Sequence, residues 1–543
     1  MTRLLSICVL ICLGMASLPY AFSEENNPPA DNAAKSAPAD VGSPQSWLKK
    51  AYECAKSDKD FHLQSYSLAI AMAEAGMFED AMKIIQEDQN VLERYWGILR
   101  IAEEGYKAGK VVEVTQIYKD MIEESKKHTD PTGLLQWIGN SMCKTERVSE
   151  AMEIVPKLCG YQISYMQVNI VEAICASGQL SDALQVARQI DDLNTKIKAF
   201  CMIAEAYTRL SKIEDADKCY SQAVEAASKG MENYYLIAQS QARVGKYKEA
   251  LESADVFRNA NDRDTCWMPD PFVVIATIRV MAGMFDEALA AVREIPDPKR
   301  KSEALVMVGE EQARLGKKWD ATKTFDEAIT AAKKLPEDPD RRDCLDHAIR
   351  EEYRAGMFRE AIQHAKEARY ETYIIVEIAE AQAKAGKKED ATKTFDLAFA
   401  CATAMERRDI LADHLALVAQ GEARSGVKKN FDKIVADSFA AAKENVDAPG
   451  ARDAFCKLID ALAVSGDKDR AAMMFHDSLA LLNTGQAITK DYIPMMAYFS
   501  IKAGLVEEVA RGFELLAGNS ERLRCAYCIQ AARALMGKGA YEE

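Results

Sequence analysis

One string constrains this chain more than anything else in it: Ala282-Gly283-Met284-Phe285-Asp286-Glu287-Ala288-Leu289. Its first four residues recur unchanged at 75–78 and 355–358, and a second string, DATKTFD at 320–326, recurs unchanged at 390–396. Self-similarity of this kind marks a repeat array, in which each unit leaves apolar surface that only its neighbour can cover. With the glycine as an anchor, equivalent positions fall at Gly76, Gly109, Glu146, Gly178, Ser211, Gly245, Gly283, Gly316, Gly356, Gly386, Gly426, Gly466 and Gly504, spaced 30 to 40 residues apart. Ala stands five residues after ten of them, at 81, 151, 183, 216, 250, 288, 321, 361, 391 and 471, and Val114, Phe431 and Val509 take that place in the other three.

The unit reads as two helices. An apolar stripe of period three to four precedes each anchor, as in Ile374, Ile375, Ile378 and Ala379 before Gly386. Glycine ends that helix by adopting a left-handed conformation, which costs it no Cβ clash. A bulky residue next (Phe78, Tyr247, Phe285, Phe358 or Trp319) is expected to plug the corner between helices. The small Ala that follows lets the second helix approach the first closely.

The units resemble tetratricopeptide repeats, whose second helix carries Ala, an aromatic four residues on, and Ala three further. Ala216-Tyr220-Ala223, Ala321-Phe325-Ala328 and Ala391-Phe395-Ala398 fit this pattern, and Ala471-Phe475 fits in part. The close-packing Gly of the first helix appears as Gly139 and Gly309, and elsewhere a small Ala holds its place: 69, 102, 204, 238, 276, 379, 419 and 497. The resemblance implies an all-α fold, a superhelical α-solenoid of about thirteen antiparallel helix pairs over 46–543, closed by a lone C-terminal helix. Two irregularities stand apart. Residues 259–271 lack helical periodicity and are expected to form a loop, and Gly539 starts a further anchor four residues before the last residue.

Ahead of the array, residues 1–23 read as a secretory leader: Arg3, an apolar run over 4–18, then Ala21-Phe22-Ser23 as a small-x-small cleavage site. The run is shorter than the roughly 20 residues that span a bilayer. The mature chain is therefore expected to be periplasmic or extracellular, tethered to a membrane only if the leader stays uncleaved. Residues 24–45, with Pro28, Pro29, Pro38 and Pro44 and almost no large apolar side chains, read as a disordered linker. No later stretch is apolar enough to span a membrane.

The net charge is −15, and basic residues occur in short runs among acids, such as 299–301. Nucleic-acid binding needs a basic stripe that displaces counterions, so no nucleic-acid partner is expected. Six histidines (62, 128, 347, 364, 414 and 476) show no metal-ligand spacing, and no phosphate-binding glycine loop or nucleophile elbow occurs. No metal and no cofactor is expected. Cys525 and Cys528 form one C-x-x-C, but inside a helix rather than at its start, where a thiolate would be stabilised. The twelve cysteines beyond the leader read as packing thiols, with a disulfide or two between neighbouring helices left open. The five Trp (47, 96, 137, 267 and 319) are dispersed in sequence.

The remaining pattern is charge. Six residues before an anchor stand Glu103, Glu205, Glu310 and Glu380, and two before it Lys107, Arg209, Arg243, Arg314, Arg354, Lys384 and Arg424. These positions are four apart, so they share a helix face, and an acid preceding a base there stabilises the helix by about 0.2–0.5 kcal/mol per pair. In tetratricopeptide arrays these places look into the concave groove, and the resemblance implies that they form a partner-binding surface. The expected function is an exported, non-catalytic scaffold that binds protein or peptide partners of unknown identity. The alternatives are an assembly element of a cell envelope and a helical-repeat enzyme acting on glycans, for which a closed ring would speak.

Overall fold

The computed structural model describes residues 43–56, 62–228, 230, 233–260, 269–336, 339–367, 372–405, 407–484 and 492–537. The leader, residues 24–42 of the linker, most of the expected 259–271 loop and Gly539 lie outside them. The first helix begins at Pro44, two residues earlier than expected. No described helix is long and apolar enough to cross a membrane.

The anchors organise the chain as the sequence implies. All thirteen adopt positive φ, from 59° at Glu146 and Ser211 to 92° at Gly466. Glu146 and Ser211 are the only non-glycine residues to do so among the described residues. Each such turn joins a first helix to a second one, giving thirteen pairs among the described residues, from His62–Glu74 with Phe78–Gln86 to Ile493–Lys502 with Val506–Leu515. Every Ala at the fifth position, and every Ala in the close-packing place of the first helix, is fully buried. At Gly139 a Cβ would stand 1.6 Å from the Met166 ε-methyl, so this first helix meets the next one through a position with no room for a side chain.

The bulky residue two after an anchor does plug the corner, and the following repeat covers it. Lys110 lies over the Phe78 ring at 5.0 Å, Lys317 over Phe285 at 4.6 Å and Lys387 over Phe358 at 4.8 Å. Trp319 does not belong to this set. It stands three residues after its anchor, about 100° further round the helix, and is 70% exposed with Lys323 over its face.

Adjacent first helices pack along one another, whereas adjacent second helices scarcely touch, Lys468–Thr484 and Val506–Leu515 excepted. The array therefore curves with first helices on the inside. The expected lone C-terminal helix is not alone. Glu521–Leu535, which ends in a left-handed turn at Gly537, pairs with Pro44–Lys56 from the opposite end of the chain. The two run antiparallel, Trp47 against Tyr527 and Cys54 beside Glu521 and Arg524. Leu48, Ala51, Cys54 and Ala55 are buried at the spacing at which the second helix Phe285–Arg293 buries Phe285, Ala288, Ala291 and Val292. Both end helices also pack against His62–Glu74, as any repeat packs on the next, and Gln45 Nε2 donates to the Ala75 carbonyl at 3.1 Å. Fourteen pairs thus close a ring, and the fourteenth is assembled from the two ends of the chain.

The seam is aromatic. Trp47 meets the edge of Phe513 and the Tyr527 ring, each at 6.2 Å between centroids, and Tyr527 Oη donates to the Val509 carbonyl at 2.7 Å. Gly512 makes the seat, since a Cβ there would lie 2.8 Å from Tyr527 Oη.

Candidate functional site

The inner wall of the ring is where the first helices present what they do not bury. In helix Leu193–Arg209 the core side is Ile197, Phe200, Ile203, Ala204 and Tyr207, and Lys198, Met202, Glu205 and Arg209 turn away from it. These last stand 13, 9, 6 and 2 residues before the anchor, spacings that keep them on one helix face. Four rows of side chains therefore run round the wall. The sequence analysis singled out the rows at six and two.

The charged residues of those two rows pair differently from the expectation. Instead of closing within one helix at a spacing of four, the ion pairs either bridge neighbouring helices or close within a helix at a spacing of three. Glu103, 7% exposed, accepts Lys144 at 3.1 Å as well as Arg100 at 3.2 Å. Arg243 reaches Glu205 at 2.6 Å, and Arg424 reaches Asp460 at 2.9 Å. Lys107 turns to Glu104 at 2.7 Å, and Arg314 and Arg354 pair with Glu311 and Glu351, three residues before them. Two adjacent parallel helices bring side chains of successive repeats as close as those one turn apart, and a partly buried carboxylate gains more from a base that also seals the joint. Arg209 and Lys384 stand exposed. Glu380 is half-buried, and burial raises its carboxyl pKa, with the Arg424 charge opposing.

The rows at nine and thirteen divide the wall into two arcs. The first is aromatic and amide-rich. Trp96 and Trp137, 41 residues apart in the chain, meet edge to face at 5.3 Å between centroids. Trp96 is 48% exposed, Tyr165 is 52% exposed, and Asn169 donates to Asn140 across the helix joint at 2.8 Å. Two of the five tryptophans thus meet in space, Trp47 joins the seam cluster, Trp319 stands exposed on a second helix, and Trp267 lies outside the described residues.

The second arc, from helix Pro298–Arg314 to helix Pro449–Val464, is charged. Glu310 stands 3.6 Å from His347 Nε2, and its hydrogen bond holds the imidazole pKa above the ordinary range. Arg350 pairs with Glu377 at 3.1 Å, Tyr353 Oη donates to the same carboxylate at 2.9 Å, and Lys457 pairs with Asp413. Glu310, His347 and Glu351 each offer an atom within 4.8 Å of the others, a set that could hold a cation, although Arg354 already engages Glu351. Sequence reasoning missed Trp96, Trp137, Tyr165, His347, Arg350 and Asp460. Counting every residue at 13, 9, 6 and 2 before each anchor would have found them all.

No disulfide is formed among the described cysteines. Cys525 and Cys528 are fully buried in mid-helix, and burial holds the Cys528 thiol far above its ordinary range, where it is no nucleophile.

No protein-family model matches the sequence, and no curated protein matches it. Among solved structures the chain is similar to the pentatricopeptide repeat protein PPR10 from maize, at 14% identity and a TM-score of 0.34. That match covers 87% of this chain and 65% of the other, under two thirds of its length. It is also similar to a Naa15/Naa10 complex bound to HypK-THB, at 14% identity and TM-score 0.29, covering 87% and 90%. A third is yeast Tom70, at 15% identity and TM-score 0.23, covering 83% and 97%. The all-α fold of paired helices rests on the helices themselves.

Proposed function

We propose that this chain is an exported, non-catalytic scaffold that holds protein or peptide partners against the inner wall of its ring. The observation that carries the reading is the wall itself. Four rows of side chains, most of them exposed or half-buried, are repeated round the first helices, and ion pairs between repeats join several of them. That is an extended surface whose chemistry changes from aromatic to charged along its length. Export rests on the leader, with its single basic residue, short apolar run and small-x-small site.

The test is affinity capture with the chain from residue 24, on the exported fraction of its own source. Two wall variants run beside it: Arg209, Arg243, Arg314, Arg354 and Arg424 changed to Ala, and Trp96 and Tyr165 changed to Ala. A partner held by the parent and lost by either variant places binding on the wall. A partner held by all three moves the site to the outer helices.

The Trp96–Trp137 pair, inside a closed ring, favours a second reading in which the aromatic arc stacks sugar rings. A glycosidase would further need two carboxyls roughly 5–9.5 Å apart across the sugar. Glycan binding that disappears with Trp96→Ala, with or without turnover, separates this reading from the first.

A further inference from the structure

Four repeats join their two helices by the same buried bond, between a side chain four residues before the anchor and one eight after it. Ser253 donates to Gln241 Oε1 at 2.9 Å, Thr324 to Gln312 at 2.8 Å and Thr394 to Gln382 at 2.7 Å. The repeat built on Pro339–Arg354 and Phe358–Glu367 keeps the bond but changes its chemistry. Here Glu352 and His364 take the two places, with His364 Nδ1 2.9 Å from Glu352 Oε2. Among the described repeats this is the one carboxyl–imidazole pair at that position.

Three further facts bear on it. His364 Nε2 faces Asp326 Oδ1 at 3.4 Å, from the second helix of the preceding repeat, Lys318–Ala332. The aspartate at the same place two repeats on, Asp396, instead holds Lys429 at 2.7 Å and Asn430 at 2.9 Å. The Glu352 side chain is 0% exposed and its Oε1 accepts no hydrogen bond from any described residue; Glu422, at the same place before Gly426, also leaves one oxygen over, but only Glu352 has an imidazole beside it. A glutamine would satisfy the latch equally well. Leaving a buried carboxylate oxygen without a partner forfeits its solvation with nothing in return, which calls for something to occupy it.

We infer that Asp326, Glu352 and His364 bind one divalent transition-metal ion of the zinc class. One ligand atom from each lies within 4.8 Å of the other two. One imidazole nitrogen with two carboxylates suits a borderline cation better than calcium or magnesium, which prefer oxygen alone. Glu352 closes the site on the buried side, and Asp326, half-exposed on the outer helix, leaves the entrance and a fourth position for water. The ion ties two adjacent second helices together on a side of the ring where such helices otherwise scarcely touch. Its coordinating imidazole nitrogen must be unprotonated, so binding weakens as the pH falls through the histidine range.

The test titrates the chelator-stripped full chain with zinc chloride, read by calorimetry, native mass spectrometry and thermal unfolding. The decisive variant is Glu352→Gln with His364→Thr, which rebuilds the latch of the neighbouring repeats and should fold as the parent does. The parent is expected to take up one zinc ion and melt higher with it. The double variant should bind at least about tenfold more weakly and lose that response. His347→Ala, on the inner wall, should keep both. No uptake by the parent, equal affinity in the double variant, or a loss that follows His347 instead would leave Glu352 and His364 as an ion pair only and overturn the site.

Discussion

The pair Pro298–Arg314/Lys318–Ala332 and the pair Glu521–Leu535/Pro44–Lys56 have one architecture and two ways of being held. In the first, a left-handed turn at Gly316 ties the helices covalently, and Ala321, Phe325 and Ala328 fill a shallow contact. In the second no turn exists, and Trp47, Phe513 and Tyr527 make a three-ring cluster instead. A connected pair stays near its partner whatever its packing. The seam has only packing, plus a curvature that delivers its halves to the same place. Large buried aromatic area is what such a joint needs, because each ring buries far more surface than an alanine. Closure is therefore the sum of a global property, curvature, and a local one, the cluster.

The largest expected effect tests that division. Trp47→Ala should weaken the seam by about 3–5 kcal/mol and open the ring, raising the radius of gyration in solution scattering. Phe325→Ala, inside a connected pair, should cost a comparable amount in denaturant unfolding yet leave the scattering curve of the folded chain unchanged. Equal shape changes in both would show that closure does not reside at the seam.

Next in size, Gly139→Ala drives a methyl group into Met166 and should cost about 1–3 kcal/mol, with the ring still closed. The cost is bounded because the far end of a flexible side chain can move.

Glu422 offers a pH-dependent lesion in the interior of the array. Burial pushes its carboxyl up to about 7 from 4.5, against the opposing backbone N–H of Asn430. A raised acid favours the protonated folded state, so its contribution is complete below pH 4.5 and is lost as the pH rises through about 7. Glu422→Gln should therefore gain about 1–3 kcal/mol at pH 8 and nothing at pH 4. A gain independent of pH would refute the assignment.

Smallest, Ser211→Gly should stabilise by about 1 kcal/mol, because Ser211 sits at φ 59° where glycine is unstrained. A loss would mean that the Ser side chain contributes a contact worth more than the strain.

Most of the local fold was legible. The anchors, the buried alanines and the close-packing glycines follow from steric rules that act within a few residues, so the pattern at Gly386 or Ala391 carries its own meaning. Closure was not legible, because it accumulates from small rotations between successive first helices, and no single repeat encodes it. The local hint was Leu48, Ala51, Cys54 and Ala55, a second-helix pattern with no first helix before it among the described residues, at the opposite end from a first helix with no described second. The wall was half legible. Acid and base rows showed which face opens inward, but the partner of Glu205 is Arg243 rather than Arg209 because neighbouring helices, not successive turns, make the contact. Trp96 and Trp137 stand in different repeats, at different distances from their anchors, so their meeting depended on geometry that periodicity alone does not supply.

Ring closure also governs how long anything enclosed would stay. With inner helices 8–10 Å apart, fourteen of them enclose a circle roughly 35–45 Å across between axes. An open groove releases its ligand sideways at the rate at which contacts break. A ring releases a ligand with a free end by sliding, and one without a free end only when the joint between Pro44–Lys56 and Glu521–Leu535 parts. For such a ligand the dissociation rate becomes the opening rate of an aromatic cluster, and the residence time is set by Trp47 rather than by any residue the ligand touches.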